Sequence, residues 1–319
     1  MPAISSGKVL ITGANGFIAT WVVKVFLDAG FSVRGTVRSP TKADHLKTMF
    51  SSHGDRLEFV IVPDMAAAHA FDEAVLGVDA IVHTASPVNL HTDKPEEVID
   101  PAVNGTLGVM RSATSPNQRL SVKRIVFLSS CATILTRNAP EPRVYDESCW
   151  NDADVQEVEE KGRDASPLTK YSASKVLAER RAWEFYEEKK AELPWDFVVV
   201  NPPLGVWTDT PRSVYSVPSN CWVDVRDLAY SLVLAVKTPA ASGQRFIISH
   251  GPFTWEDFAL AASKITNKAQ APPSYDPAQV THKVVYNGRK AKEVLGITYH
   301  TLDGTVADLI EDWKTRGWL

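Results

Sequence analysis

A tyrosine and a lysine at helical spacing are the first residues of this sequence that could carry out chemistry. Tyr171 and Lys175 stand four positions apart, so they share one face if the segment is helical. A lysine ammonium so placed would lower the pKa of the tyrosine from about 10 toward neutrality, a shift of about three units. The tyrosine would then be a usable general acid. Because both residue types are common on helices, the pair gains its meaning from the motifs around it.

A glycine-rich loop near the amino terminus is the strongest of these motifs. Gly13, Gly16 and Ala19 are spaced as GxxGxxA, directly after an apolar run and at the start of a helical pattern. Glycines let the backbone turn tightly and approach a pyrophosphate, whose charge is received by the free N–H groups and positive end of the following helix. An ordinary glycine-rich turn is the alternative, but the strand before and the helix after favour a dinucleotide site.

The end of the second predicted strand indicates which dinucleotide is bound. NAD sites usually place an acidic residue about 20 residues past the glycines, where it holds the ribose 2′-hydroxyl. Here no Asp or Glu occurs between Asp28 and Asp44, and the window contains Arg38 and Lys42 instead. Two cations suit the 2′-phosphate, so we expect NADP, although solvated surface charges would give the same pattern.

Residues that follow the third and fourth predicted strands extend the expected site. Asp64 could accept a hydrogen bond from an adenine amino group, or it could cap the next helix. The small residues Thr84, Ala85 and Ser86 would let a cofactor lie flat across the sheet edge. Because ligands of open α/β sheets bind outside the carboxyl ends of the strands, these residues should meet at one edge.

The elements that must position these residues follow a repeated order. Short β-branched runs alternate with longer amphipathic stretches, which is typical of strand–helix–strand units feeding a parallel sheet. We therefore expect an α/β fold, a Rossmann-type doubly wound parallel sheet with a small, discontinuous C-terminal substrate lobe. The predicted strands are Lys8 to Thr12, Phe31 to Val37, Leu57 to Val62, Asp79 to His83, Arg124 to Ser129, Phe197 to Asn201 and Arg245 to Ser249. The predicted helices are Phe17 to Ala29, Lys42 to Phe50, Phe71 to Leu76, Glu96 to Ala113, Leu168 to Lys190 and Val225 to Val236.

The domain organisation follows from that order. We assign residues 1–201 and 223–249 to the dinucleotide-binding domain, and residues 202–222 and 250–319 to the substrate-binding lobe. The tail after Thr254 is expected to form helices interrupted by a turn at Pro272 to Pro277.

Composition removes several classes of function. The 319 residues contain 34 basic and 38 acidic side chains, a net charge of −4, which gives no electrostatic argument for a nucleic-acid partner. No run approaches the roughly 18 apolar residues of a membrane helix, and the amino terminus does not resemble a secretory signal. The three cysteines form no CxxC pair and the eight histidines are scattered, so neither a disulfide framework nor a metal site is expected. We expect a cytoplasmic protein.

Taken in order, the motifs resemble a known family over nearly the whole chain. The glycine loop, a serine at the end of the fifth strand and the YxxxK pair look like the extended short-chain dehydrogenase/reductases. The strings at Gly35 to Ser39, His83 to Pro87, Pro101 to Thr106 and Asp224 to Asp227 resemble their dihydroflavonol reductase group. The match is best to its fungal branch of NADPH-dependent aldehyde and ketone (methylglyoxal-type) reductases.

The resemblance implies roles for individual residues. Tyr171 would protonate the carbonyl oxygen of a substrate, Ser130 would hold that oxygen, and Lys175 would bind the nicotinamide ribose. Ser129 would point instead toward the sheet or the cofactor, and Asn104 would have either a water-relay or a structural role. The resemblance also implies Leu204 as a backbone contact of the nicotinamide. The expected cofactor-binding residues are Gly13, Asn15, Gly16, Phe17, Ile18, Arg38, Lys42, Asp64, Met65, Thr84, Ala85, Ser86, Tyr171, Lys175, Pro202 and Leu204.

The expected activity is therefore NADPH-dependent reduction of an aldehyde or ketone to an alcohol, in a monomer or homodimer. A short segment between Asn201 and Asp224 suggests an open pocket for a bulky or apolar carbonyl compound, lined by Val88, Ala132, Trp207 and Tyr215. Two alternatives stay open: a nucleotide-sugar epimerase or dehydratase of the same family, and a non-catalytic NADP-sensing regulator.

Overall fold

The computed structural model describes residues 3–87, 93–114, 121–136, 139–206 and 221–319. The strands are, in chain order, β1 (Lys8–Ile11), β2 (Ser32–Val37), β3 (Leu57–Ile61), β4 (Ala80–His83), β5 (Arg124–Leu128), β6 (Arg143–Tyr145), β7 (Asp196–Asn201), β8 (Leu204–Val206), β9 (Cys221–Asp224), β10 (Gln244–Ile247), β11 (Gly251–Pro252) and β12 (Val284–Tyr286). The α-helices are α1 (Phe17–Asp28), α2 (Pro40–Met49), α3 (Glu96–Ser112), α4 (Asp152–Lys161), α5 (Pro167–Lys189), α6 (Val225–Lys237), α7 (Trp255–Ser263), α8 (Arg289–Leu295) and α9 (Leu302–Thr315).

Seven strands form one central sheet. Their spatial order is β3-β2-β1-β4-β5-β7-β10, and every neighbouring pair is parallel. The chain therefore builds outward from β1 to β3 and then crosses back to place β4 on the other side of β1. This reversal makes a crevice at the carboxyl ends of β1 and β4, which is where ligands bind in doubly wound sheets. The predicted Rossmann-type fold is confirmed.

Helices cover both faces of the central sheet. Val9 and Ile11 of β1 belong to the core on the face covered by α1 and α6, whereas Leu10 belongs to the core on the opposite face. All three side chains are fully buried, which explains why the strand is a continuous apolar run. Helices α3 and α5 supply the second face, with Val109 of α3 and Ala178 of α5 in its core.

The carboxyl-terminal part adds smaller sheets and three helices. Strands β11, β9 and β8 form a three-stranded sheet, and β12 pairs in parallel with β6. Trp222 of β9 packs with Phe253 and Leu309 in a separate apolar cluster. The predicted boundary between residues 222 and 223 falls inside β9, and the division into a domain and a lobe stays a prediction.

Several expected elements differ in the structure. The predicted helix from Phe71 to Leu76 is wrong, since the segment is a succession of turns that ends at Gly77, where φ is +68°. Helix α4 was not expected because only Asp154 and Val158 of it are buried, which leaves little apolar periodicity. No strands were predicted between Asn201 and Asp224, where the structure has β8 and β9.

Candidate active site

A cavity of about 620 Å³ lies along the carboxyl ends of the central strands. Its walls come from the segments after β1, β2, β3, β4, β5 and β7 and from one face of α5, so the strand-end residues do meet at one edge. The lining residues are Gly13, Asn15, Gly16, Phe17, Ile18, Ala19, Thr36, Val37, Arg38, Ser39, Lys42, Val62, Met65, Phe71, Thr84, Ala85, Ser86, Leu128, Ser129, Ser130, Tyr171, Lys175, Pro202 and Pro203.

The glycine loop forms the floor of this cavity. Gly13 has a φ of +65°, a conformation that side chains rarely adopt, and a Cβ on it would come within 3.1 Å of the Ala85 Cβ. Gly35 of β2 is equally constrained, because a Cβ there would lie 2.8 Å from both Ala14 and Phe59. Glycine at these positions lets the loop pass close to its neighbouring strands.

A buried threonine ties the glycine loop to the segment after β4. The Thr12 hydroxyl accepts hydrogen bonds from the backbone N–H groups of Thr84 and Ala85, each at 3.0 Å, and lies 2.9 Å from His83 Nδ1. Burial, with a smaller contribution from the positive charge of Lys175, lowers the pKa of His83 to about 3. His83 is therefore a neutral hydrogen-bonding residue at physiological pH.

The amino-terminal end of α1 faces the cavity with its N–H groups available. Gly16 is the N-cap and has no side chain to bond them, and the first turn contains no acidic residue. The first N–H groups of a helix have no partner within it, so this end is suited to an anion.

Two exposed cations stand at the far end of the cavity. Arg38 follows β2 directly, and Lys42 lies in the first turn of α2. Neither forms an ion pair with any residue that the structure describes, and no acidic residue is among those lining the cavity. The wall therefore carries a net positive charge with no competing carboxylate.

The predicted serine, tyrosine and lysine meet at the inner end of the cavity. Helix α5 begins at Pro167, and the Ser166 hydroxyl caps it by accepting from Thr169 N–H at 3.0 Å. Lys175 Nζ lies 5.9 Å from the centre of the Tyr171 ring. Ser130 lines the same cavity as these two residues.

The electrostatic state of the tyrosine differs from the sequence-based prediction. Burial of the hydroxyl raises the pKa of Tyr171 above its ordinary value, and the side chain of Ser130 offsets only part of that rise. Burial also lowers the pKa of Lys175 to about 8, against the opposing effect of the negative charge on Glu179. The predicted fall of the Tyr171 pKa toward neutrality is therefore wrong for this structure, because the lysine does not offset the loss of water around the tyrosine.

Comparison with known proteins places the chain in a family. Residues 9–204 match the model of the NAD dependent epimerase/dehydratase family. The chain belongs to this family. Ketoreductase azaE of Aspergillus niger is 35% identical, with 95% of this chain and 96% of that protein covered. Cinnamoyl-CoA reductase 1 of Petunia hybrida is 36% identical, with 100% and 96% covered.

A solved structure agrees with the fold of this family member. The crystal structure of yeast methylglyoxal/isovaleraldehyde reductase Gre2 complexed with NADPH superposes with a TM-score of 0.85 at 26% identity. The match covers 98% of this chain and 100% of that one. The predicted resemblance to the extended reductases is confirmed.

Sequence reasoning missed a buried network directly behind the wall of the cavity. Glu179, one helical turn after Lys175, accepts hydrogen bonds from Ser129 Oγ at 2.5 Å, Asn201 Nδ2 at 2.8 Å and Arg245 Nε at 2.6 Å. Ser129 therefore donates away from Ser130 and toward α5. The spacing of Glu179, four residues after Lys175 and eight after Tyr171, is the one feature of the sequence that could have indicated it.

Some predicted site residues do not line the cavity. Asp64 Oδ1 accepts from Ala66 N–H at 2.9 Å, but it caps a turn and not the helix that was the alternative prediction. Its neighbour Met65 does line the cavity. The side chain of Leu204 packs against the Trp222 cluster, and Asn104 is exposed on α3. Their cofactor and relay roles stay predictions.

The expected substrate pocket is described only in part. Ala132 is half-buried and donates its N–H to Ser130 Oγ at 3.1 Å, but it does not line the cavity. Val88, Trp207 and Tyr215 lie outside the described residues.

Two searches of the described residues concern other kinds of site. No helix among them combines the length and apolar character needed to cross a membrane. Within the same ranges, no group of three or more His, Cys, Asp or Glu side chains could hold a metal ion.

Proposed function

We propose that this chain is an NADPH-dependent carbonyl reductase that converts an aldehyde or ketone to an alcohol. The observation that carries the proposal is that one cavity combines the glycine loop, the cations Arg38 and Lys42, and the Ser130, Tyr171 and Lys175 side chains. The reductases among the relatives support the same reaction class, and the NADPH in the Gre2 structure supports the same cofactor. The predicted class, an NADP-dependent oxidoreductase, is confirmed by these relatives.

The residues present fit a dinucleotide phosphate. A Cβ at Gly13 would fill the narrow approach between the loop and Ala85, so glycine keeps room for a pyrophosphate there. The uncapped N–H groups at the start of α1 would receive its charge. Arg38 and Lys42 would bind the 2′-phosphate that distinguishes NADPH from NADH.

The chemistry supplied by NADPH, when bound, is a hydride for the carbonyl carbon. Tyr171 donates its hydroxyl proton to the carbonyl oxygen, so that the hydride and the proton together give the alcohol. Its raised pKa keeps that proton in place before the reaction. Ser130 Oγ holds the same oxygen by a hydrogen bond. The ammonium of Lys175 binds the ribose next to the nicotinamide and stabilises negative charge on Tyr171 after the proton has left.

The cavity also separates this function from the two alternatives. A tightly held NAD, as in an epimerase or dehydratase, calls for an acidic residue at the end of β2, where this chain has Arg38. A non-catalytic NADP sensor has no need of the Ser130, Tyr171 and Lys175 set that faces the cavity. Reduction is therefore the activity that uses all of the residues brought together.

The test is oxidation of NADPH, followed by absorbance, with a panel of small and bulky aldehydes and ketones. Tyr171→Phe should lower kcat by about 10²–10⁴-fold, because the proton donor is removed, and leave the Kd of NADPH within about twofold. Tyr230→Phe, on an exposed tyrosine of α6, is the control and should behave as wild type. Substantial turnover by Tyr171→Phe would refute the assigned proton donor.

The assembly, the location and the range of substrates extend this proposal. We propose a monomer or homodimer that acts in the cytoplasm on apolar or bulky carbonyl compounds, with no nucleic-acid partner. The net charge of −4 supports the last point. Light scattering of the purified protein measures the assembly, and relative kcat/KM across the carbonyl panel measures the substrate range.

A further inference from the structure

A buried group of four charged or polar side chains lies behind the catalytic wall. Glu179 is fully buried, and its Oε2 accepts from Ser129 Oγ and from Asn201 Nδ2. Its Oε1 accepts from Arg245 Nε, and Arg245 is itself only 8% exposed. Three donors, from β7, from β10 and from the residue after β5, thus converge on one carboxylate, which fixes its position.

This carboxylate is aligned with the catalytic residues along one helix. Tyr171, Lys175 and Glu179 occupy positions i, i+4 and i+8 of α5, so they lie on one face in consecutive turns. Tyr171 and Lys175 line the cavity, whereas Glu179 does not. Along α5, Lys175 therefore lies between a tyrosine that lines the cavity and the buried carboxylate of Glu179.

We propose that Glu179 is a positioning residue for Lys175: its buried carboxylate, fixed by Ser129, Asn201 and Arg245, keeps the lysine ammonium charged and in place beside Tyr171. Arg245 acts through Glu179, because its guanidinium is the charged partner of this buried carboxylate, with Nε 2.6 Å from Oε1. The inference rests on the proposed function, since Lys175 has this importance only in a reductase site.

The other titratable groups around the pair do not supply this charge. Burial lowers the pKa of His83 on β4 to about 3, so it is neutral. Burial raises the pKa of Cys131, after β5, so its thiol is neutral as well. The carboxylate of Glu147 accepts from the backbone N–H of Ile247 at 3.1 Å, and the backbone carbonyl of Glu147 accepts from Arg245 Nη1. Burial lowers the pKa of Lys175 to about 8, and the negative charge of Glu179 opposes that fall.

The test is an NMR titration of Lys175 in the full chain, with isotope-labelled lysine side chains and assignment by comparison with Lys175→Arg. The Lys175 midpoint should lie near 8 in the wild type. In Glu179→Gln it should fall by about one unit or more, because burial is then unopposed. Arg245→Met should lower the Lys175 midpoint as well. Without the arginine the buried carboxylate has no charged partner, burial favours its protonated form, and the negative charge near Lys175 is lost. Glu179→Asp keeps the negative charge, so the midpoint of the Lys175 titration should stay close to the wild-type value.

A matched control and a second variant separate this role from simple stability. Arg124 and Asp196 form another fully buried ion pair, with Nε to Oδ1 at 2.6 Å, at the opposite ends of β5 and β7. Asp196→Asn should destabilise the fold and leave the Lys175 midpoint unchanged. If Glu179→Gln does not fold, the double variant Glu179→Gln/Arg245→Met leaves no lone buried charge, and it should still lower the midpoint.

The pH dependence of reduction provides the second readout. In Glu179→Gln, the alkaline fall of kcat/KM should occur at a lower pH, displaced by as many pH units as the Lys175 titration midpoint. In Asp196→Asn it should occur at the wild-type pH. A midpoint that stays at the wild-type value in folded Glu179→Gln or in the double variant overturns the inference, whatever the activity. A wild-type protein that reduces no carbonyl compound overturns the proposed function instead, because the titration needs no turnover.

Discussion

Replacement of Arg38 by alanine tests the part of the site that decides between NADPH and NADH. Arg38 follows β2, is exposed and lines the cavity beside Lys42. The two cofactors differ only in the 2′-phosphate, so the ratio of their dissociation constants isolates the interaction with that group. Arg38→Ala should weaken NADPH binding and leave NADH binding almost unchanged.

The size of the effect follows from the exposure of Arg38. Two unit charges at about 4 Å interact by about 1 kcal/mol in water and about 4 kcal/mol near a protein surface of dielectric about 20. Hydrogen bonds to charged groups contribute about 1.5–3 kcal/mol. Because the arginine is exposed and Lys42 remains, we expect about 2 kcal/mol, which is about a 30-fold rise in the Kd of NADPH. The loss should shrink as salt screens the phosphate.

Titration of protein fluorescence or calorimetry with each cofactor measures both constants. Lys47→Ala is the matched control, because Lys47 is an exposed cation of the same helix α2 that pairs with Asp44 at 3.7 Å and does not line the cavity. It should leave both constants unchanged. An equal loss for NADPH and NADH in Arg38→Ala, or no loss for either, would refute the assignment of the 2′-phosphate to this residue.

Two further predictions concern packing and pH. Gly35→Ala should destabilise the fold by about 1–3 kcal/mol, because its Cβ would lie 2.8 Å from Ala14 and from Phe59. Gly108→Ala in α3 should instead be neutral or stabilising by up to about 1 kcal/mol, because its Cβ would have its nearest contact at an ordinary 3.7 Å. Chemical denaturation measures the free energy of unfolding of both variants. A loss of stability in both would contradict this reasoning. The rate of reduction should be highest below about pH 8 and fall as the pH rises through that value, because Lys175 loses its charge there while Tyr171, with its raised pKa, keeps its proton. A stopped-flow pH profile measures this, and a rate that increases above pH 8 would contradict it.

The fold could be predicted because each central strand is specified locally. Val9 to Ile11 are apolar on both faces, and Gly13 follows at the point where the backbone adopts a φ of +65°, which favours glycine. The sequence positions of Arg38 and Thr84, each after a strand, then determine which residues share the sheet edge. The glycine loop, the cations and the Ser130, Tyr171 and Lys175 set all reach one cavity for that reason.

The rest could not be predicted because it depends on contacts between distant segments. Glu179 and Arg245 are 66 positions apart, and neither lies in a motif whose spacing indicates a pair. Strands β8 and β9 are short, and their pairing is decided by packing around Trp222 rather than by alternation of polar and apolar residues. The predicted helix from Phe71 to Leu76 failed because a succession of turns is enough to bury Phe71, Ala74 and Val75, while Leu76 is exposed.

The raised pKa of Tyr171 has a physical consequence for its proposed role as proton donor. Spacing alone suggested that Lys175 lowers the pKa of Tyr171 toward neutrality and so makes it a usable general acid. Burial instead raises the pKa of Tyr171 and lowers that of Lys175, so below about pH 8 both side chains carry their protons. A protonated tyrosine beside a charged lysine is ready to give a proton to a carbonyl oxygen and cannot accept one from an alcohol. The loss of water around Tyr171 therefore keeps on this hydroxyl the proton that the proposed reduction requires.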